Sequence, residues 1–249
     1  MARKCAFCEN RANTREHVWP DWIIRRFETG QFEHRHQAVS DKHGQLADLL
    51  WEGPKIDLKV RRVCRSCNEG WMSRAEVAIE PLLSDLIFNP SRPRILSIED
   101  TSRLALWIAK TMLVFQFLNH EGATVPRESY EFVREHQLPP PGMRIWIAGL
   151  DDVDGTLYRH HRLRLTGSVS GRQGHGYSAT FGIRHFAFQV IAHNIGDEVS
   201  FTRNDEERYS LPIWPNSESV SWPPAFFFTR EGWSEWADAI VSHPSRPPH

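Results

Sequence analysis

Val63-Cys64-Arg65-Ser66-Cys67-Asn68-Glu69-Gly70-Trp71 is the stretch from which the architecture can be read. Two cysteines separated by two residues, between an alternating run and a helical one, form half of a metal-binding knuckle. The other half is Cys5-Ala6-Phe7-Cys8, and these four are all the cysteines in the chain. Four thiolates from two such pairs are the ligand set of a tetrahedral structural zinc. Two other arrangements use the same residues: a pair of disulfides, which needs an oxidising compartment, and a redox-active Cys-x-x-Cys, which goes with a single motif beside a βαβ pattern. Met-Ala-Arg-Lys-Cys at the start has no apolar leader-like segment, so the expectation is a cytoplasmic chain holding zinc through Cys5, Cys8, Cys64 and Cys67.

Working outward, the interval from Cys8 to Cys64 is longer than the roughly 15–20 residues between the pairs of a simple zinc ribbon. Something is inserted, and it follows Arg15-Glu16-His17-Val18-Trp19-Pro20. Pro20 suits the first position of a short helix carrying Trp22, Ile23 and Phe27 on one side. The polar stretch around 28–54, broken by Gly30, Gly44 and Gly53, reads as a loop-like insertion in which His34, His36 and His43 are loop residues. Ile56 to Val60 alternates as a half-buried strand does. After Cys67, Trp71, Ala75, Ala78 and Ile79 keep helical spacing, with Pro81 ending or restarting the helix. The order strand, strand, helix results.

Beyond residue 85 the chain changes character. Leu104, Trp107, Ile108, Thr111, Phe115 and Leu118 predict a central buried helix capped at Asp100 or Thr101, and its apolar stretch, which carries Lys110, is too short for a membrane span. A second helix is expected over 126–136, before Pro139-Pro140-Pro141-Gly142. Strand-like runs follow at Arg144–Ala148, Leu157–Val169, Tyr177–His193 and Val199–Phe201, predicting an antiparallel sheet. Trp233, Trp236, Ala237 and Ile240 space a closing helix. Arg159-His160-His161-Arg162, with basic side chains on both faces of a strand, reads as a charged edge strand, with a nucleic-acid surface as the alternative. The expected fold class is therefore α+β, divided at 1–85 and 86–242 with a disordered tail at 243–249.

The net charge of −1 excludes a uniformly basic nucleic-acid clamp, but it is unevenly spread: residues 1–75 hold 14 Lys and Arg against 10 Asp and Glu. The basic half is the motif half. Arg61, Arg62 and Arg65 beside the second pair are equally suited to phosphate contact and to an ordinary solvated face. No Gly-rich phosphate loop, Rossmann fingerprint or nucleophile elbow is present.

Cys5, Cys8, Glu16-His17, Cys64, Cys67 and Asn68, in this order, resemble the HNH endonucleases, a branch of the ββα-metal nucleases in which paired Cys-x-x-Cys knuckles often brace the active site. The resemblance covers about residues 5–80. It implies an N-terminal zinc-stapled ββα-metal module, with Glu16 as ligand of a catalytic Mg²⁺ or Mn²⁺, His17 as general base and Asn68, opening the helix, as the second metal ligand. The implied partner is DNA, with RNA as an alternative, and the implied reaction is phosphodiester hydrolysis. One position departs from the pattern. The family's middle Asn, which fixes the loop carrying the base, is missing from Asp57-Leu58-Lys59-Val60. Asp57 or Lys59 has taken over its part, or other contacts hold the loop, or the chain is a catalytically inactive zinc-braced nucleic-acid-binding module.

Overall fold

The computed structural model describes residues 3–27, 32–39, 46–53, 57–118, 125–151, 153, 155–166, 171, 173–194, 209–215 and 217–239. In chain order the elements are β1 (Glu16–His17), α1 (Asp21–Arg26), β2 (Phe32–Val39), β3 (Leu46–Gly53), β4 (Lys59–Val60), a π-type turn (Cys67–Met72), α2 (Ser73–Phe88), β5 (Arg94–Leu96) and α3 (Ile98–Phe115). They continue with α4 (Arg127–His136), β6 (Met143–Leu150), β7 (Gly155–Thr166), β8 (Gln173–Ile183), β9 (Phe186–His193), β10 (Ser210–Trp214), β11 (Val220–Trp222), β12 (Phe227–Phe228) and α5 (Arg230–Asp238). The class is α+β, as expected.

A large sheet in the order β10-β6-β9-β8-β7-β2-β3 forms the middle layer, with β12 added beside β6. It is antiparallel from β10 to β7, but β2 joins β7 in parallel and β12 joins β6 in parallel. On one face lies α3. Its Trp107 meets Phe188 edge-on and Trp19 at a tilt, and its Phe115 meets Phe181 edge-on and Tyr158 at a tilt. On the other face α5 lays Trp233 and Trp236 over Ala148, Leu157 and Ala187. The apolar positions of α3 run all round it because the sheet covers one side while α2 and the cysteine-bearing segment cover the other.

Several sequence expectations are corrected here. The insertion around 28–54 is not a loop. It contributes the hairpin β2–β3, so His34 and His36 lie on a strand, while His43 falls outside the described residues. The division at residue 85 falls inside α2, and one core cluster runs from Cys5 through Trp107 to Ile147 and Trp222. The regions share a core because a ββα segment this short cannot bury enough apolar surface alone. Pro81 neither ends nor restarts α2. It lies within it on the exposed side, where the loss of one helical N–H is tolerated. The tail 243–249 and the run Val199–Phe201 lie outside the described residues.

The edge-strand reading of β7 also fails. β7 lies between β8 and β2, and Arg159, His160 and His161 are buried. Strand alternation sends Arg159 and His161 to the α5 face, where Arg159 donates to the Ser234 carbonyl at 2.9 Å and pairs with Asp238 at 2.5 Å. His161 lies 3.1 Å from the same carboxylate. A cationic side chain against the last turn of a helix also complements its dipole. His160 faces the other way, toward Tyr158 and Tyr177, and burial pulls its pKa down to about 4, which keeps it neutral at physiological pH.

Two turns show how local chemistry sets the frame. Pro141-Gly142 closes a turn in which Met143 N–H donates to the Pro140 carbonyl at 3.1 Å, with Gly142 at φ +77, a conformation that costs glycine least. The cap of α3 lies three residues before Asp100. Ser97 is its N-cap and Asp100 answers as the other half of a capping box, with bonds of 3.1 and 3.0 Å. Ser97→Ala is therefore expected to lower unfolding stability by about 1 kcal/mol in urea titration; an unchanged midpoint would show that tertiary packing alone holds this end.

Candidate metal centre and flanking residues

The four cysteines converge. Their sulfur atoms all lie within 4.8 Å of one another, every one of the four side chains is buried, and none is in a disulfide. Cys8 Sγ lies 3.5 Å from Cys64 Sγ and 3.7 Å from Cys67 Sγ. A tetrahedral four-thiolate ion with metal–sulfur bonds of about 2.3 Å needs sulfurs about 3.8 Å apart, whereas a disulfide needs about 2.05 Å. The cluster can hold a metal ion, and the disulfide alternative is excluded by distance. Without a cation the thiols divide a limited charge: Cys67 hydrogen-bonds toward Cys5, drawing Cys5 down to about 5 and pushing Cys67 up. A bound cation would hold all four as thiolates.

The residues around the cluster are arranged by the local chain. Cys5 N–H donates to the Asn10 carbonyl at 2.7 Å and Asn68 N–H to the Cys64 carbonyl at 3.0 Å, so each pair curls around its own knuckle. Ser66 Oγ lies 3.1 Å from Cys64 Sγ and accepts from Asn10 Nδ2 at 3.2 Å, tying one knuckle to the other. Phe7 and Trp71 meet edge to face above the core side.

Glu16 and His17 occupy β1, paired antiparallel with β4 in the register Glu16↔Val60 and His17↔Lys59. Neighbours on a strand face opposite ways, and this pair divides accordingly. Glu16 points into the core, 4% exposed, where Lys110 Nζ of α3 stands 3.5 Å from it and 2.5 Å from Glu76 of α2. Lys110 is fully buried, and its two carboxylates hold it charged against that burial. Glu16 is pushed above the usual carboxylate range, because its own desolvation outweighs one ammonium at that distance. His17 points outward, half-buried, with Nε2 3.3 Å from Asp57 Oδ1. Asn68 follows Cys67 in the π-type turn and does not cap it. Its Nδ2 donates to Thr14 Oγ1 at 3.2 Å, and that hydroxyl donates to the Val63 carbonyl at 2.9 Å.

Among the described residues the four cysteines form the one cluster of His, Cys, Asp or Glu close enough to share an ion. Lys110 and Glu76, which share the buried charge cluster with Glu16, were not singled out as site residues by sequence reasoning. A lysine in the middle of an otherwise apolar helix was the available signal. Of the flanking arginines, Arg62 stacks 5.2 Å over Phe117 and Arg65 pairs with Glu69 at the exposed surface. A cleft of about 720 Å³ opens beside Cys67, bordered by Ser66, Gly70, Trp71, Arg74, Arg134, Glu135 and Gln137. No helix among the described residues is long and apolar enough to cross a membrane.

Comparison with protein-family models finds no match, and comparisons with curated proteins and with solved structures likewise find none. The functional reading therefore rests on the chain's own geometry and on the resemblance of its motif.

Proposed function

We propose that this chain is a zinc-braced endonuclease of the HNH type, hydrolysing phosphodiester bonds in DNA with His17 as general base. The observation that carries the reading is the arrangement of β1, β4 and the helix beginning at Cys67, stapled by four cysteines, with His17 on its outer face. Thiolate ligands in a tetrahedral set select zinc over the hard cations, and four of them leave it no open position, so its role is structural. An imidazole suits the base because its ordinary pKa, about 6.5, lies near physiological pH. It would take a proton from water as the water oxygen bonds to phosphorus. The bond from phosphorus to the leaving 3′ oxygen then breaks, and that oxygen takes a proton from solvent. Arg74 and Arg134, on the cleft beside Cys67, supply positive charge for the phosphates.

The catalytic Mg²⁺ or Mn²⁺ implied by the resemblance, with Glu16 and Asn68 as ligands, does not fit the residues as they stand. An ammonium already faces the Glu16 carboxylate in a buried site, and Asn68 is engaged with Thr14. The same observation favours the second reading, a zinc-braced module that binds DNA or RNA without cutting.

Plasmid DNA incubated with Mg²⁺ or Mn²⁺ separates the two. Wild type is expected to cut, and His17→Ala to lose about 10²–10⁴-fold in rate, the usual share of a general base, with zinc content unchanged. Cutting by His17→Ala at the parent rate would remove His17 from the mechanism. Salt-sensitive DNA association without cleavage in any metal would leave the binding module.

A further inference from the structure

Asp57 Oδ1 is closed off from solvent and accepts no hydrogen bond within normal limits, although the other oxygen of the same carboxylate receives Lys59 Nζ at 2.6 Å. A buried carboxylate oxygen without a donor is costly, and such atoms in folded proteins find one. Among the described residues the potential donor recorded beside it is His17 Nε2, at 3.3 Å. The position is set by the backbone. Asp57 comes two residues before Lys59, which lies opposite His17 in the β1–β4 ladder, so the carboxylate reaches across the ladder to the ring. Lys59 then holds that carboxylate from its other side.

We infer that Asp57 is the positioning residue of His17: it accepts Nε2–H, fixes the ring and its tautomer, and leaves Nδ1 as the nitrogen that takes the proton from water. The inference deepens the nuclease reading and rests on it for the catalytic part alone; the proximity of the ring to the carboxylate does not depend on whether DNA is cut. It also gives a physical account of the missing middle Asn, since a side-chain carboxylate from the segment leading into β4 takes over the holding. A carboxylate behind an imidazole sets its tautomer and stabilises the imidazolium formed when the proton arrives.

The test is proton and nitrogen NMR of the zinc-loaded full chain labelled at histidine nitrogens. The buffer is held two or more units above the ordinary pKa of a free imidazole, about 6.5. The expected result is a downfield, exchange-protected Nε2–H resonance that disappears in His17→Ala and in Asp57→Ala, with His17 Nδ1 unprotonated. A protonated Nδ1 at His17, or a protected Nε2–H that survives in Asp57→Ala, overturns the assignment. Asp57→Asn keeps the shape of the side chain and serves if the alanine variant loses zinc. Its neutral acceptor makes a weaker bond, so the resonance is expected to move upfield, and an unmoved resonance counts against the proposal. In the plasmid assay Asp57→Ala is expected to lower kcat about 10- to 100-fold with KM unchanged, within the range a general base supplies. Because the resonance is read without DNA, an uncut plasmid together with an Asp57-dependent Nε2–H would sink the nuclease reading while leaving the pairing in place.

Discussion

Cys64→Ser is expected to empty the proposed zinc site and to unfold the N-terminal segment around it. Structural zinc in small four-ligand sites binds with an apparent free energy of about 10–16 kcal/mol near neutral pH, and where no site exists in the unfolded chain this is folding free energy. Cys64 is central to the cluster, with Cys8 Sγ at 3.5 Å and Ser66 Oγ at 3.1 Å. The consequence should spread beyond the knuckle, because Cys5, Phe7, Cys67 and Trp71 belong to the same buried cluster as Met72, Ile79 and Tyr130. Loss of the ion leaves thiols competing for one another in a buried site, and the turn from Cys67 into α2 loses its anchor. Elemental analysis of the purified protein checks the claim. One zinc per chain is expected for wild type and a fraction of that for the variant, with a lower unfolding temperature. Stoichiometric zinc in Cys64→Ser would count against this ligand set.

The second large effect is expected at Lys110. One buried ammonium faces two carboxylates, Glu16 and Glu76, and its removal in Lys110→Met leaves both without their cation in a site of low polarity. Breaking a buried pair by deleting one partner costs about 3–5 kcal/mol, because the remaining charge is left uncompensated. Glu16→Gln added to Lys110→Met should recover much of the loss, since it removes the more buried of the two carboxylates, and the double-mutant cycle measures the coupling. The pH dependence has a definite sign. The folded carboxyl of Glu16 is raised by burial, so its neutral form is favoured in the fold. The stability it contributes is complete below its ordinary pKa and is lost as pH rises through the folded value. Without Lys110 to oppose that rise, the deficit of Lys110→Met relative to wild type should deepen from acid toward neutral pH. Denaturant unfolding at several pH values reads this, and a variant within about 1 kcal/mol of wild type throughout would show that water reaches the site.

These two variants also separate two roles for Glu16. If Glu16 serves the fold through Lys110, Glu16→Gln alone should lower stability by less than Lys110→Met does, because Glu76 still faces the ammonium, and should leave any cleavage intact. If it binds a catalytic cation, the same change should abolish cleavage. The structure supplies the first arrangement directly, through a contact made by α3, which stands far from β1 in sequence.

What the sequence determined by itself was whatever depends on neighbours along the chain. The cysteine spacing is a local constraint of the knuckle, the apolar period of α3 is a property of one helix, and the strand-like composition of β6 to β9 is a property of short segments; each was legible for that reason, although the single run Tyr177–His193 is two strands, β8 and β9. The cap of α3 was missed by three residues because the box is written Ser97-x-x-Asp100, with the answering carboxylate where a cap was sought. What only the tertiary structure decided is which strand lies beside which and which face each charge meets. The polar stretch at 28–54 became a hairpin because β7 offers it an edge, and Arg159 and His161 could be buried because α5 brings Asp238 to them. Glu16 and His17 read as one pair in the sequence, but alternation along β1 turns them to opposite sides, one to Lys110 and the other to Asp57. A strand's alternation is local, but what waits on each side is chosen by packing between residues far apart in the chain.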